Sequence, residues 1–352
     1  MKKVGKVKVF LAAFINQTNA QNINCRELAK NLDEDEFDVY TLELSSGNLS
    51  SLTKKNVHIF RCWYPTKVSG LIGYLWGFLK SEVVYLPRAD FLWFQKCLIK
   101  IFRKKSFKTM ENIIDVISID TAFGVFGGDL NKIISYYKYA DRNYPISKYV
   151  GDYNYKHYSI KYNQPILYVP TDFDSFYIKR DVNDILLTDI VFIGNDFRRK
   201  RLSKYLELAQ LFPDLKFHVV GKGNLPDEIH EIKNVKYHGM LSHEALHNLL
   251  ESIQLHYFPS LSEGFGKVTI EVGAAGIPTI LHGNYGAAEW INNEKEGIIV
   301  SEFDEVVEKV RLLKNNTEFL AKLSQGAQEM SRRFDSRRVV KIYEQVIKDL
   351  IN

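Results

Sequence analysis

The chain has 352 residues, 45% of them hydrophobic and 25% charged, with 20 Tyr and 22 Phe. This is the composition of a folded globular protein, and the length is that of two domains. The net charge of +5 is mild, which excludes a dedicated nucleic-acid binder, since that would need a denser basic face. The three cysteines, Cys25, Cys62 and Cys97, are scattered and form no CxxC pair. They read as reduced, buried thiols of a cytosolic protein and not as a disulfide frame or zinc site. The apolar run 9–14 is short and is followed by Asn16-Gln17-Thr18-Asn19, so it reads as a first strand and not as a signal peptide. No stretch reaches the roughly 18 apolar residues of a membrane span.

In chain order, residues 8–14 read as a buried strand. Residues 24–32 read as a helix with Cys25, Leu28, Ala29 and Leu32 on one face. Residues 37–44 and 57–60 read as strands. From Val68, the residues Leu71, Ile72, Leu75, Trp76 and Leu79 form a helical apolar stripe. This βαβ rhythm predicts a parallel sheet with helices on both faces. The pattern weakens over 171–187, the expected linker. Asp172 and Asp174 there imitate a metal-binding Asp-x-Asp, but after a strand they read as a structural turn. A second βα series follows, with strands at 189–194, 216–221, 235–239, 255–260, 277–281 and 297–300. A last helix spans 339–350. Two consecutive doubly wound domains are expected to bind ligands where the carboxyl ends of their strands face each other across a cleft.

The most informative segment is Ser260-Leu261-Ser262-Glu263-Gly264-Phe265-Gly266-Lys267-Val268-Thr269-Ile270-Glu271. A strand ends, a glycine-rich turn follows, and a helix runs from about Lys267 to Ala275, stopped by Gly276 and Pro278. The open N-terminus of that helix is an anion site suited to a diphosphate. Gly264 and Gly266 let the backbone approach closely. Carboxylates repel phosphate, so Glu263 and Glu271 make sense as grips on neutral hydroxyls such as those of a ribose and a hexose.

These residues resemble the E-x7-E motif of glycosyltransferase family 4, a retaining family of the GT-B fold. Val191-Phe192-Ile193-Gly194 followed by Lys200 looks like the family's strand, glycine and phosphate-binding lysine. Val219-Val220-Gly221-Lys222-Gly223 and Ala274-Ala275-Gly276-Ile277-Pro278 also fit. His238-Gly239-Met240-Leu241-Ser242 looks like the segment that packs on the nucleobase. The resemblance implies an α/β protein with two Rossmann-like domains facing across a cleft. Residues 1–170 would bind the acceptor, and residues 188–333 would bind a nucleotide sugar, UDP-linked in preference to GDP-linked. A helix within 334–352 would cross back to the first domain. By the same resemblance, Glu271 would bind ribose and Glu263 the transferred sugar. Lys200, helped by one of Arg198, Arg199 and Arg201, would hold the diphosphate. Gly194, Asn195, Gly264, Phe265, Gly266, Lys267, Met240 and Leu241 would line the donor pocket. No metal or other cofactor is called for. Transfer would proceed by same-face attack, the donor's own phosphate oxygen taking the acceptor proton.

Three positions depart from the family's pattern. Asn19 and Ala20 stand where a glycine pair usually precedes the first helix. Asn195 stands where an arginine often follows the strand-ending glycine, with Arg198 to Arg201 as compensation. Glu111 stands where a histidine often follows a middle strand of the first domain. Glu111 would bind an acceptor hydroxyl or sugar, or would mark impaired catalysis.

Lys96, Lys100, Arg103, Lys104, Lys105 and Lys108 form a basic run interleaved with apolar residues. Phe91, Trp93 and Phe94 and the 68–79 stripe lie just upstream. Residues 68–108 thus have the character of a surface that rests on anionic lipid at the inner face of a cell membrane; a core helix with a solvated edge is the alternative. The function expected is transfer of a hexose-type sugar to a glycan or lipid-linked acceptor in cell-surface polysaccharide synthesis. The alternatives are a nucleotide-sugar epimerase of the same fold and a catalytically impaired partner subunit.

Overall fold

The computed structural model describes residues 5–46, 52–181 and 185–352. The chain forms two compact units. The first comprises residues up to Ile114, Ile119–Thr171 and Ser336–Asn352. The second comprises Asp115–Ser118 and Asp172–Asp335.

In order, the elements of the first part of the chain are β1 (Val7–Phe14), α1 (Ala20–Asn31), β2 (Phe37–Leu44), β3 (Val57–Cys62), α2 (Thr66–Lys80), β4 (Val83–Tyr85), α3 (Leu92–Phe102), β5 (Lys105–Met110), α4 (Val116–Asp120), α5 (Leu130–Tyr137), β6 (Arg142–Pro145) and α6 (Lys148–Tyr158). Then come α7 (Phe173–Phe176), β7 (Asp189–Ile193), α8 (Leu202–Leu211), β8 (Lys216–Val220), β9 (Val235–Gly239), α9 (His243–Glu251), β10 (Leu255–Phe258), α10 (Lys267–Ala274), β11 (Thr279–His282), β12 (Ile298–Val300), α11 (Phe303–Asn315), α12 (Thr317–Arg332) and α13 (Ser336–Ile351).

The first sheet has the order β3-β2-β1-β4-β5-β6 and the second β12-β11-β10-β7-β8-β9. The pairings between these strands are parallel. Counted from its own first strand, each sheet therefore reads 3-2-1-4-5-6, the doubly wound dinucleotide-binding order. The order reverses between β1 and β4 in one sheet and between β7 and β10 in the other, so crevices open above those strand ends. Central strands are buried on both faces, as parallel sheets require: Val9, Phe10, Leu11, Ala12 and Ala13 are fully covered.

Local chemistry moves several expected boundaries. α1 begins at Ala20, not at Asn24, because the Asn19 side chain accepts the Asn22 N–H at 3.0 Å and caps the helix. The segment expected as a linker, 171–187, counts with the second unit from Asp172 onward; residues 182–184 of it lie outside the described residues. Asp172 caps the short α7 by accepting the Ser175 N–H. Arg180 ties the segment down by donating to the carbonyls of Ala275, Glu251 and Leu250. The last helix runs over Ser336–Ile351 and packs Val339, Tyr343, Val346 and Ile347 into the core of the first unit.

Most of the 68–79 stripe faces away from the core, although Trp76 packs against it. α2 turns Tyr74 and Phe78 inward together with Gly70, Gly73 and Gly77. A Cβ on Gly73 would meet Leu42 and Phe60 at 3.0 Å, and one on Gly77 would run into the Phe10 ring. The close approach leaves Val68, Ile72, Leu75 and Leu79 exposed. Cys25 and Cys62 are buried, as expected, but Cys97 on α3 is exposed. Lys108 is withdrawn from the basic surface altogether: it is fully buried in β5 and donates to the Tyr136 carbonyl at 2.9 Å. Among the described residues no helix is long and apolar enough to cross a membrane.

The Gly77→Ala change tests the glycine face. Phe10 is fully buried and cannot yield, so overpacking should cost about 1–3 kcal/mol. Urea denaturation of wild type and variant gives that difference; equal midpoints would contradict the packing described.

Candidate functional site

In the second unit, the switch point brings together two turns that are 63 residues apart in sequence. After β7 the chain turns through Asp196, which has φ +61°, and Arg201, which has φ +53°. Asp196 holds this turn by accepting the Arg199 N–H at 3.3 Å and by its carbonyl, which takes the Lys200 N–H at 3.0 Å. After β10 the chain runs through Ser260 and Glu263. The Leu261 N–H donates to the Arg199 carbonyl at 2.9 Å, which pins one turn to the other.

Glu263 is the centre of the contact. Its Oε1 accepts from Lys200 Nζ, from Arg199 Nη1 at 2.7 Å and from Ser260 Oγ at 3.0 Å. Arg199 Nη1 also reaches the Ser262 carbonyl at 2.7 Å. Lys200 is only 8% exposed and its ammonium lies 4.4 Å from the Phe258 ring centre. Burial pushes the Lys200 pKa down, against the pull of Glu263. Burial would push Glu263 up, but Lys200 and Arg199 outweigh it and hold the carboxyl below its ordinary range. The group is therefore a carboxylate gripped by two cations.

α10 starts directly beyond. Gly266 heads it at φ +73° without a side-chain cap, a conformation open to glycine at little cost. Glu271 sits one turn inside, its carboxylate 4.0 Å from Lys267. Phe265 turns its ring inward onto Trp290, with centroids 4.4 Å apart, so its side chain is a packing element. On the far side of β7, Gly194 fits against the Lys200 stem. Asn195 accepts the Lys222 N–H at 3.1 Å and so joins this turn to the one after β8. Gly221, at φ +129°, has no room for a Cβ beside the Gly194 carbonyl. Met240 is 60% exposed at the end of β9, and Leu241 packs partly against the core.

The first unit has its own crevice, at the β1/β4 switch point. A pocket of about 350 Å³ is lined by Asn19 and Gln21 after β1, Arg88 and Asp90 after β4, and Thr109 and Glu111 at the end of β5. Ala20 is exposed and does not line it. Glu111 is hydrogen-bonded by the Thr109 hydroxyl at 3.1 Å and by the Gln21 side chain. Burial pushes its carboxyl up to about 7, against Thr109, Gln21 and the charges of Lys108 and Arg88. Arg88, Asp90 and Gln21 were not singled out in the sequence. The signal for the first two was available: Pro87-Arg88-Ala89-Asp90 directly follows a short apolar strand.

The Glu111 carboxyl holds its proton more tightly in the folded chain than at the ordinary 4.5. Its contribution to stability is thus complete below about pH 4.5 and is lost as pH rises through about 7. Glu111→Gln keeps the shape and removes the titration. The thermal midpoint of the variant relative to wild type should therefore climb between about pH 5 and pH 8. A difference that stays flat over that range would contradict a buried carboxyl.

Residues 186–330 match the family described as glycosyl transferases group 1. An uncharacterized glycosyltransferase of Methanocaldococcus jannaschii is 23% identical over 347 residues, covering 92% of this chain and 94% of that protein. Sucrose-phosphate synthase from Thermosynechococcus elongatus superposes with a TM-score of 0.81 at 15% identity, covering 98% of this chain and 99% of that one. Anabaena HepE in complex with UDP-glucose superposes with a TM-score of 0.72 at 16% identity, covering 99% of this chain and all of that one. The chain has the GT-B fold, and the matches support a glycosyltransferase.

Proposed function

We propose that the protein is a retaining glycosyltransferase of family 4 type that moves a hexose from a nucleotide sugar to a glycan or lipid-linked acceptor in building a surface polysaccharide. The observation that carries this is the joining of Glu263, Lys200 and Arg199 beside the start of α10. A diphosphate arriving there meets two cations and the positive end of a helix. Lys200 and Arg199 would leave Glu263 for the phosphates, and Glu263 would turn to a sugar hydroxyl. Glu271, one turn into α10, would take the ribose. HepE carries UDP-glucose, which favours uracil as the base. The reading asks for no metal, because Lys200 and Arg199 supply the positive charge that the leaving group needs. In the reaction the bond from the anomeric carbon to phosphate breaks and one to the acceptor oxygen forms on the same face. The acceptor proton passes to the departing phosphate oxygen. A covalent sugar–enzyme adduct seen by mass spectrometry would overturn that order.

A carboxylate bonded to ribose hydroxyls contributes about 1.5–3 kcal/mol. Glu271→Ala should therefore weaken UDP binding by roughly 10–100-fold in calorimetry. Lys200→Ala should lower transfer by roughly 100–1,000-fold, the loss typical of one positioned donor at a developing charge. Wild-type UDP affinity in Glu271→Ala would sink the donor assignment.

A membrane-facing acceptor is supported by the α2–α3 surface. Val68, Ile72, Leu75 and Leu79 stand exposed in a row on α2, and Trp93 and Ile101 are exposed on α3. Lys67, Lys80, Lys100, Arg103 and Lys105 are also exposed. An apolar row with a basic border suits anionic lipid, each cation adding about 1 kcal/mol. Vesicles of phosphatidylglycerol should float the protein and vesicles of phosphatidylcholine should not. Ile72→Glu with Leu75→Glu should abolish flotation; if the double variant floats as well as wild type, this surface is not the contact.

A further inference from the structure

We propose that the β1/β4 pocket of the first unit receives the terminal ring of the acceptor, and that this ring is a neutral sugar carrying neither phosphate nor carboxylate. The inference rests on the reading of the chain as a glycosyltransferase and deepens it by naming the acceptor's chemical class.

The charges come first. Among the described residues that line the pocket, Arg88 is the one cation, and Asp90 and Glu111 are the acids. Arg88 is already spent on Asp90, with Nε and Nη2 each bonded to a carboxylate oxygen of that residue. Lys108 is buried in β5 with its ammonium bonded to the Tyr136 carbonyl and is not part of the lining, and burial pushes its pKa well down. The lining sums to zero with Glu111 protonated and to minus one with it ionised. An anionic acceptor end would find no net positive charge to offset the loss of its hydration, and once Glu111 ionises it would meet a negative wall that repels it.

The hydrogen-bonding groups come second. Asn19, Gln21, Asn112 and Thr109 set amide and hydroxyl donors beside acceptors. Such a mixture matches hydroxyls, which both give and take. Glu111, with its carboxyl near neutrality, can do either for one hydroxyl.

The shape comes third. Phe123, Phe126, Tyr136 and Tyr137 also line the pocket. They pack on one another, with Phe126 and Tyr136 centroids 5.3 Å apart. A lining that combines aromatic rings with polar groups fits a pyranose, which has C–H faces and a hydroxyl rim. The volume of about 350 Å³ lies within the roughly 300–1,000 Å³ of small-molecule sites.

The test is saturation-transfer NMR on the full chain with octyl glucoside, octyl galactoside and octyl N-acetylglucosaminide. Octyl glucuronide and glucose 6-phosphate are the anionic counterparts. At least one neutral glycoside should bind tenfold or more tighter than every anionic probe, and Glu111→Ala should weaken it at least tenfold. UDP binding measured on the same samples reports the second unit, and a cooperative thermal transition of Glu111→Ala with the wild-type near-UV circular dichroism shows that the first unit of the variant is folded. An anionic probe that binds as well as the best neutral one overturns the proposal. So does the absence of transfer from any neutral glycoside, or a neutral affinity unchanged in Glu111→Ala. Loss of UDP binding in wild type would instead strike the donor reading and leave the saccharide result to stand by itself.

Discussion

The structure depends on a constraint of connectivity. A parallel sheet wound outward in both directions from its middle must send neighbouring crossovers to opposite faces at the point of reversal. No crossover covers the strand ends there. In the second unit that gap lies between β7 and β10, and the turns after these strands carry Lys200 and Glu263. In the first unit it lies between β1 and β4, and the turns there carry Asn19 and Arg88. Topology thus fixes where chemistry can be placed before any side chain is chosen.

The side chains then determine what each crevice can hold. At β7/β10 a carboxylate is held between a lysine and an arginine. Taking such charges out of water is costly, and their attraction does little more than offset the cost. A cluster of this kind is poor evidence for stability and better evidence for a role. It keeps two cations oriented on one carboxylate. At β1/β4 the balance is reversed: the lone cation is neutralised by its neighbour, and the unpaired group is an acid whose ionisation is suppressed by burial.

Much of the fold was legible because parallel strands are apolar on both faces, so residues 8–14 and 189–194 stand out as runs. The glycine turn and the helix around it were legible from local punctuation, since Gly264 and Gly266 open the helix and Gly276 and Pro278 close it. The contact of Lys200 with Glu263 was reachable only through resemblance, because no local pattern links residues on different strands. The facing of α2 was hidden. Apolar spacing alone does not tell which stripe is inner, because Gly73 and Gly77, which fit against Leu42, Phe60 and Phe10 of the sheet, share the inward face with Tyr74 and Phe78. Lys108 deceived in the same way: in a basic run it reads as surface, yet β5 alternates and sends it under Tyr136. Asn19 was read as part of a loop because a helix cap is set by one hydrogen bond and not by a period.

α13 has a consequence for how the protein comes into being. Its residues complete the core that β1, α1 and β4 begin, and the Ser336 N–H closes onto the Thr171 carbonyl at 2.9 Å. Apart from Asp115–Ser118, the second unit is contained between those two residues. During synthesis, which runs from the N-terminus, the second unit has its whole sequence before the first does. The unit begun first is thus the one finished later, and until α13 arrives its strands carry an uncovered apolar face.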